Sequence, residues 1–225
     1  NFLKQMADLQ LLGICIPEEY GGAGMDYISL GLACEELEYV DTHLRVIMSV
    51  HVGLNSMTLW CWGSPEQKTR YLPRLISGEH VGALAMSETG AGSDVVSMKL
   101  KAEARGDRFV LNGTKFWITN GPVADVLVVY AKTQPGEGSR GITAFIIEKD
   151  MAGFSIGQRI EKLGMLGSPT GELVFEDCEV PAENVLGAVN GGVGVLMSGL
   201  DYERVVLSGV PLGLMQACID TVLPY

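Results

Sequence analysis

The chain has 225 residues, 47% of them apolar and 19% charged, with a formal net charge of −11. That is a globular composition with enough apolar material for one or two buried cores, and its acidity sets it against the phosphate backbone of nucleic acid. Anionic small ligands are not excluded, because salt screens overall charge beyond about 8 Å and local groups decide.

The five cysteines (Cys15, Cys34, Cys61, Cys178 and Cys218) contain no Cys-x-x-Cys pair, which reads as free thiols of a reducing compartment. His43, His51 and His80 show no metal-ligand spacing, so no metal site is expected. No apolar run is read as approaching the ~20 residues that span a bilayer, and no secretory signal stands at the start. Membrane insertion is therefore not expected. The sequence opens in a helical pattern at Asn1-Phe2-Leu3 and stops at Leu223-Pro224-Tyr225 without a terminator, as a piece of a longer protein would.

In chain order, the first third reads as helices. Asp26 to Val40 carries Ile28, Leu32 and Leu37 among acidic residues, and Thr42 to Trp62 is apolar all round, the mark of a buried helix. Ser64-Pro65-Glu66-Gln67 forms a capping-box signature with proline at the first helical position. That helix should run to about Ile76 and stop at Gly78. The middle third changes period. Val81 to Met86, Leu100 to Ala104, Phe109 to Leu111, Lys115 to Ile118, Val126 to Tyr130, Ile142 to Ile147 and Leu173 to Phe175 are β-rich runs. Asn112-Gly113 reads as a two-residue hairpin turn. Antiparallel hairpins with little helix between them predict a barrel or sandwich. The last third is helical again from Val195 to about Val222, with a kink or break expected at Pro211. Helices, then strands, then helices predict an α+β chain with at least two domains.

Several residues could carry chemistry. Leu196, Leu200, Glu203 and Leu207 are spaced 4, 3 and 4 apart and share one helical face. A carboxylate buried in such a stripe has a raised pKa and is a candidate general base; one at its edge simply reaches water or an arginine. Asp201 and Arg204, three apart, can form a modest surface pair. Gly136 to Gly141 matches G-x-G-x-x-G, but a strand follows it instead of a helix, which rejects the dinucleotide reading. It is a hairpin loop in which Arg140 can still hold a phosphate. The small residues of Ser87 to Asp94 allow close approach to an anionic ligand or make an ordinary tight loop. Trp117-Ile118-Thr119 lines a flat cofactor or places a core tryptophan before a turn.

Together these segments resemble the acyl-CoA dehydrogenase family over essentially the whole chain. The segments are Ala85-Met86-Ser87-Glu88-Thr89-Gly90-Ala91-Gly92-Ser93-Asp94, Asn112-Gly113-x-Lys115-x-Trp117-Ile118-Thr119-Asn120-Gly121, Gly63 to Lys68, Tyr71-Leu72-Pro73, Gly78-Glu79, Leu163-Gly164-Met165 and Val180-Pro181-x-x-Asn184-Val185-Leu186-Gly187. Val195-Leu196-Met197-Ser198-Gly199-Leu200-Asp201-Tyr202-Glu203-Arg204 and Pro211 to Gln216 resemble the isovaleryl-CoA dehydrogenase branch, in which the catalytic glutamate stands on this helix just before the arginine. The resemblance favours the base reading of Glu203.

The resemblance implies a helical N-terminal domain over 1–80, an antiparallel β-barrel over 81–188 and the opening of a C-terminal helical bundle over 189–225. It implies that Leu84, Ala85, Met86, Ser87, Glu88, Thr89, Gly90, Ala91, Gly92 and Ser93 line FAD, with Ser87 toward the flavin ring and Ser93 toward the pyrophosphate or CoA. Trp117, Ile118 and Thr119 should pack on the flavin, Ser139 and Arg140 should contact CoA, and Asp201, Tyr202, Glu203 and Arg204 should line the substrate. The implied reaction is α,β-dehydrogenation of a short branched acyl-CoA, isovaleryl-CoA to 3-methylcrotonyl-CoA in leucine degradation, with Glu203 as base and flavin N5 as hydride acceptor. Another branched or terpenoid acyl-CoA, or an oxygen-using flavin enzyme on the same fold, are the alternatives. A homotetramer, an electron-transfer flavoprotein as electron acceptor, and a bacterial cytoplasm or mitochondrial matrix are likewise implied. The sequence departs from the branch at Gly194, where related enzymes can carry an aromatic residue, and at Val210, where glycine is usual.

Overall fold

The computed structural model describes residues 2–225. Among the described residues seven α-helices flank an eight-stranded sheet. After α1 (Phe2–Asp8), Asp26 caps α2 (Tyr27–Val40) by accepting the Ser29 N–H, the partner the first turn of a helix lacks. The face α2 buries is Leu30, Cys34 and Glu38, whereas Ile28 and Leu32 are exposed. A carboxylate can lie on that inner face because Arg45 pairs with Glu38 at 2.6 Å and Thr42 donates to it, so the buried charge is matched.

α3 (Thr42–Ser49) continues through a π-helical stretch, Val50–Ser56, into α4 (Met57–Trp62). The buried-helix expectation holds: Met48, Val52 and Leu59 are fully covered. So are the polar side chains His51 and Asn55, and each ties the helices to the sheet. His51 Nε2–H donates to Leu75 O and its Nδ1 accepts the Gly82 N–H, while Asn55 donates to Ala83 O and Val126 O. Burial holds His51 down to about 4, hence neutral. α5 (Pro65–Ile76) begins with the anticipated capping box, and Gly78 follows it at φ +70°.

The strands are β1 (Gly82–Ala85), β2 (Lys101–Arg105), β3 (Arg108–Thr119), β4 (Val126–Lys132), β5 (Ile142–Glu148), β6 (Phe154–Arg159), β7 (Thr170–Pro181) and β8 (Val185–Leu186). Their order is β6-β7-β3-β2-β4-β5-β8, with β1 also on β4. Most neighbours are antiparallel, while β1 and β2 join β4 in parallel. The sheet curls until Phe109 on β3 meets Phe145 on β5, with ring centroids 5.1 Å apart, and encloses a core that includes Phe175 and Val180. The outward residues of β4 (Val126, Val128 and Tyr130) join the helical core instead. Both faces of β4 are therefore dry, which is why it reads as a continuous apolar run.

One expectation is corrected here, and the break expected at Pro211 is found just ahead of it. Asn112-Gly113 is not a hairpin turn but an irregularity inside β3, where the register with β7 shifts between Leu111 and Gly113. The Asn112 side chain bonds Asp177 across the ladder and Gly113 stands at φ +136°; the extra residue of this bulge lies on β7, where Glu176 and Asp177 stand opposite Asn112 alone and Asp177 takes φ +49°. The β2–β3 turn falls earlier, at Gly106-Asp107. In the last third, the helix divides into α6 (Gly192–Val206) and α7 (Gly209–Val222) before Pro211, which sits in the first turn of α7, where its missing N–H costs nothing.

The bilayer expectation is also corrected: Gly192–Val222 is long and apolar enough to cross a membrane by length and composition. The charged cluster Asp201-Tyr202-Glu203-Arg204 interrupts the run in the sequence. In the fold α7 lies against α2 through two glycines. A methyl at Gly213 would come 2.2 Å from Glu35 O, and one at Gly209 2.8 Å from Gly31 O. Leu212, Leu214, Met215 and Ile219 remain exposed.

Candidate active site

The site is built where three layers meet: the β1 end of the sheet, the π-helical stretch, and α6. On α6 the stripe read from sequence turns inward, with Leu196 and Glu203 buried and Leu200 and Leu207 half-buried. Glu203 is 5% exposed, and its Oε2 has no hydrogen-bond partner. Burial pushes this carboxyl up to about 7, against a partial opposing pull from Arg45. A carboxylate so placed exchanges a proton near neutral pH. Its neighbours on the helix differ. Asp201 and Arg204 are exposed and lie 3.4 Å apart, and Tyr202 stacks on Tyr27 with centroids 4.5 Å apart. Tyr27, Met57, Thr58, Cys61 and Tyr202 line a cavity of about 210 Å³ between α4 and α6.

The second part is the segment from Leu84 to Ser93. Leu84 faces the helices, and Ala85 faces the inside of the curled sheet. Ser87 and Met86 are half-buried, and Ala91 is buried in a tight turn closed by bonds between Glu88 and Ala91. Thr89, Gly90, Gly92 and Ser93 are exposed. The Glu88 side chain points inward and not to the surface. It accepts the Lys99 and Leu100 N–H groups and pairs with Lys115 Nζ at 2.9 Å. Lys115 also donates to Met86 O, so one buried ammonium fastens the start of the segment, and the Glu88 carboxylate ties it to Lys99 and Leu100.

The third part is the end of β3, brought beside the loop by Phe116 N–H donating to Ser87 O. The ladder with β7 breaks between Lys115 and Ile118. There Trp117 takes φ +58°, a left-handed conformation that is an outlier for a bulky residue. Trp117 is 52% exposed, whereas Ile118 is buried in the sheet core and Thr119 is half-buried. Ser139 and Arg140 are exposed on the β4–β5 loop, Pro135–Gly141, which Lys132 braces by donating to Gly138 O.

The structure thus brings Ser87 and Trp117 into one place and puts Glu203 on the layer behind β1. Lys115, Lys132 and Gly53 were missed as contributors. Lys115 had a readable signal, a lone lysine in an apolar strand; the other two had none. Gly194, singled out as a departure, is exposed on α6, and a methyl there would meet nothing within 4 Å. Gly194→Phe should therefore keep or raise stability by up to about 0.5 kcal/mol, since glycine is a poorer helix residue than phenylalanine. A fall in thermal midpoint would show that the position has no free space.

A curled β-sheet backed by an α-helical layer is the architecture of solved acyl-CoA dehydrogenases, and the sequence matches that family. The N-terminal domain of acyl-CoA dehydrogenase matches residues 1–79 and its middle domain residues 83–178. The chain belongs to the acyl-CoA dehydrogenase family. Within it, the chain is 59% identical over all its residues to the mitochondrial isovaleryl-CoA dehydrogenase of Solanum tuberosum, and 56% identical to a 2-methylacyl-CoA dehydrogenase of the same plant. It spans 55% of the length of each of these curated relatives. An acyl-CoA dehydrogenase of Bacillus anthracis solved in complex with FAD superposes with a TM-score of 0.87 at 39% identity, over 94% of this chain and 36% of that one.

Proposed function

We propose that the chain forms the flavin and acyl-CoA site of an FAD-dependent α,β-dehydrogenase of short branched acyl-CoA esters, with isovaleryl-CoA as the leading substrate. The observation that carries this reading is the buried Glu203, its carboxyl near 7, on a chain with isovaleryl-CoA dehydrogenase relatives at full coverage. The 2-methylacyl-CoA relative supports a second reading, in which the branch lies at Cα.

The residues fit FAD. An exposed indole held in a left-handed backbone conformation presents a flat face at its own energetic cost, beside the hydroxyls of Ser87 and Thr119. Next to them the Gly- and Ser-rich turn leaves amides and hydroxyls open to an anion. In this reading Leu84 to Ser93 and Trp117 to Thr119 hold the cofactor, though Ala85, Glu88, Ala91 and Ile118 act by shaping the backbone, since their side chains face inward. Ser139 and Arg140 would take the CoA phosphates. FAD, when bound, supplies the acceptor for the hydride leaving Cβ.

Glu203 removes the α proton. Its burial raises its proton affinity and excludes the water that would otherwise solvate it. The product is the 2-enoyl thioester, 3-methylcrotonyl-CoA for the leading substrate. Asp201, Tyr202 and Arg204 border the carboxylate on the exposed side and line the acyl-CoA path. We further propose a homotetramer, an electron-transfer flavoprotein as acceptor, and a matrix or bacterial cytoplasmic setting; relatives occur in mitochondria and in bacteria. The exposed face of α7 then belongs to a helical bundle and not to a bilayer.

The test is anaerobic bleaching of the bound flavin in the full-length enzyme. Rapid bleaching by isovaleryl-CoA supports the leading reading, and faster bleaching by 2-methylbutyryl-CoA favours the second. No bleaching by either, with FAD present, overturns both. A further expectation concerns Trp117. Trp117→Gly should relieve about 1 kcal/mol of backbone strain and raise the unfolding midpoint. It should also weaken FAD binding roughly ten-fold through the lost aromatic contact. Equilibrium dialysis with FAD and a thermal melt check the pair; unchanged FAD affinity counts against Trp117 as a flavin platform.

A further inference from the structure

The carboxyl of Glu203 occupies a slot that a neighbouring residue opens by having no side chain. Gly53 is buried midway along the π-helical stretch Val50–Ser56. A methyl on its α-carbon would lie 2.0 Å from Glu203 Oε2 and 3.0 Å from Cδ, closer than any side-chain atom tolerates. The carboxylate and the bare α-carbon are therefore in direct contact. A π-helical stretch inserts an extra residue per turn, and such bulges recur at functional sites.

No hydrogen-bond donor among the described residues holds that oxygen. Oε2 is buried and makes no hydrogen bond. The titratable groups that act on the carboxyl are Arg45 from α3, already paired with Glu38, and Cys34 and Tyr27 from α2. The π stretch contributes His51, both of whose ring nitrogens are engaged by Leu75 and Gly82. On α6 itself Asp201 and Arg204 face solvent and each other. The position of the carboxylate is set by shape, and the shape is set by a glycine.

We propose that Gly53 is the positioning residue for the base: its missing side chain, at the middle of the π-helical stretch, is the slot that keeps the Glu203 carboxylate inside the helical layer. This rests on the reading of Glu203 as base. Any L side chain at 53 expels the carboxylate toward the exposed flank of α6, where water re-solvates it. The residue then loses both its aim and its raised proton affinity.

The test uses the full-length FAD-loaded enzyme. Alanine is a better helix former than glycine, so Gly53→Ala adds a clash with little other change. It should lower kcat roughly 10–100-fold with little change in KM, as small misplacements of reacting groups do. The acidic limb of the pH–rate profile should move down by at least about one pH unit, toward the ordinary carboxylate range. Independently of turnover and cofactor, the infrared band of a protonated carboxylic acid, identified by its absence from Glu203→Gln, should disappear at lower pH in Gly53→Ala than in the parent.

In a Glu203→Asp background the shorter side chain leaves room for the methyl, so Gly53→Ala should add nothing. Should Gly53→Ala alone fail to fold, recovery in the Glu203→Asp double variant supports the contact, and no recovery overturns it. An unchanged acidic limb and kcat in Gly53→Ala, with Glu203→Gln inactive, overturns the proposal while leaving the base reading intact. An active Glu203→Gln overturns the base reading and the proposal with it.

Discussion

Glu203→Gln should lower kcat by at least about 10²-fold, and toward 10⁴-fold, with FAD still bound, because a positioned base typically contributes that much and glutamine fills the same volume without accepting a proton. Stopped-flow bleaching with isovaleryl-CoA measures it, and near-normal turnover removes Glu203 from the mechanism. The pH dependence has a definite sign. A carboxyl near 7 works as a base only when ionised, so the rate of flavin reduction should climb as pH rises through about 7, not through the ordinary range near 4.5. Stability moves the other way. A carboxyl whose folded-state pKa lies above its unfolded value stabilises the fold fully below about 4.5 and loses that contribution as pH climbs through about 7. Glutamine does not titrate. Glu203→Gln should therefore gain on the parent between pH 5 and pH 8, by up to roughly 3 kcal/mol for a shift of this size, read as the difference between urea midpoints at the two pH values. A gap that does not change with pH would mean that the carboxyl is solvated in the folded state.

The buried stripe on α6 was legible because helical spacing alone places Leu196, Leu200, Glu203 and Leu207 on one face. Whether that face is dry depends on what lies opposite. Here the answer is a glycine 150 residues away in the chain, which no local pattern reports. The capping box of α5 was legible for the opposite reason, since every partner it needs lies within four residues. Asn112-Gly113 shows how a local signal is outvoted. The dipeptide favours a turn, but β7 offers a long partner strand and Asn112 finds Asp177 on it, so β3 runs on as a strand and the bulge falls on β7 opposite Asn112. The membrane-length run of α6 and α7 failed for a related cause. Its apolar surface is real, and only α2 packing against Gly209 and Gly213 shows that one side of it is a helix–helix contact. The inward Glu88 is the clearest limit, since the exposed-looking motif around it gives no hint that its carboxylate serves a lysine in another strand.

Lys115→Met should cost about 3–5 kcal/mol of stability, the usual loss when one member of a buried ion pair is removed. Lys115 is fully buried and donates to Glu88 and to Met86 O, with Met98 Sδ at 3.6 Å. Burial pushes its ammonium down to about 8, with Glu88 pulling it back up, so it stays charged at neutral pH. Methionine matches its length and leaves the Glu88 carboxylate facing only the Lys99 and Leu100 N–H groups, and Met86 O loses its ammonium donor. Adding Glu88→Gln should recover part of the loss, because the amide removes the uncompensated charge while its oxygen still accepts a backbone N–H. Urea midpoints of the parent, the single and the double variant make the comparison. A parent-like midpoint for Lys115→Met sinks the clasp, and a double variant worse than the single one shows that the carboxylate was compensated by the backbone alone. The effect should reach the proposed cofactor site as well. Ser87 sits between Met86 and Glu88, the two residues the ammonium holds, and is bonded to the strand that carries Trp117. Loosening the clasp releases the serine and the indole from one another. Lys115→Met should then lose FAD on gel filtration under conditions where the folded protein is retained, while Glu203→Gln, equally buried but on the other side of β1, keeps it.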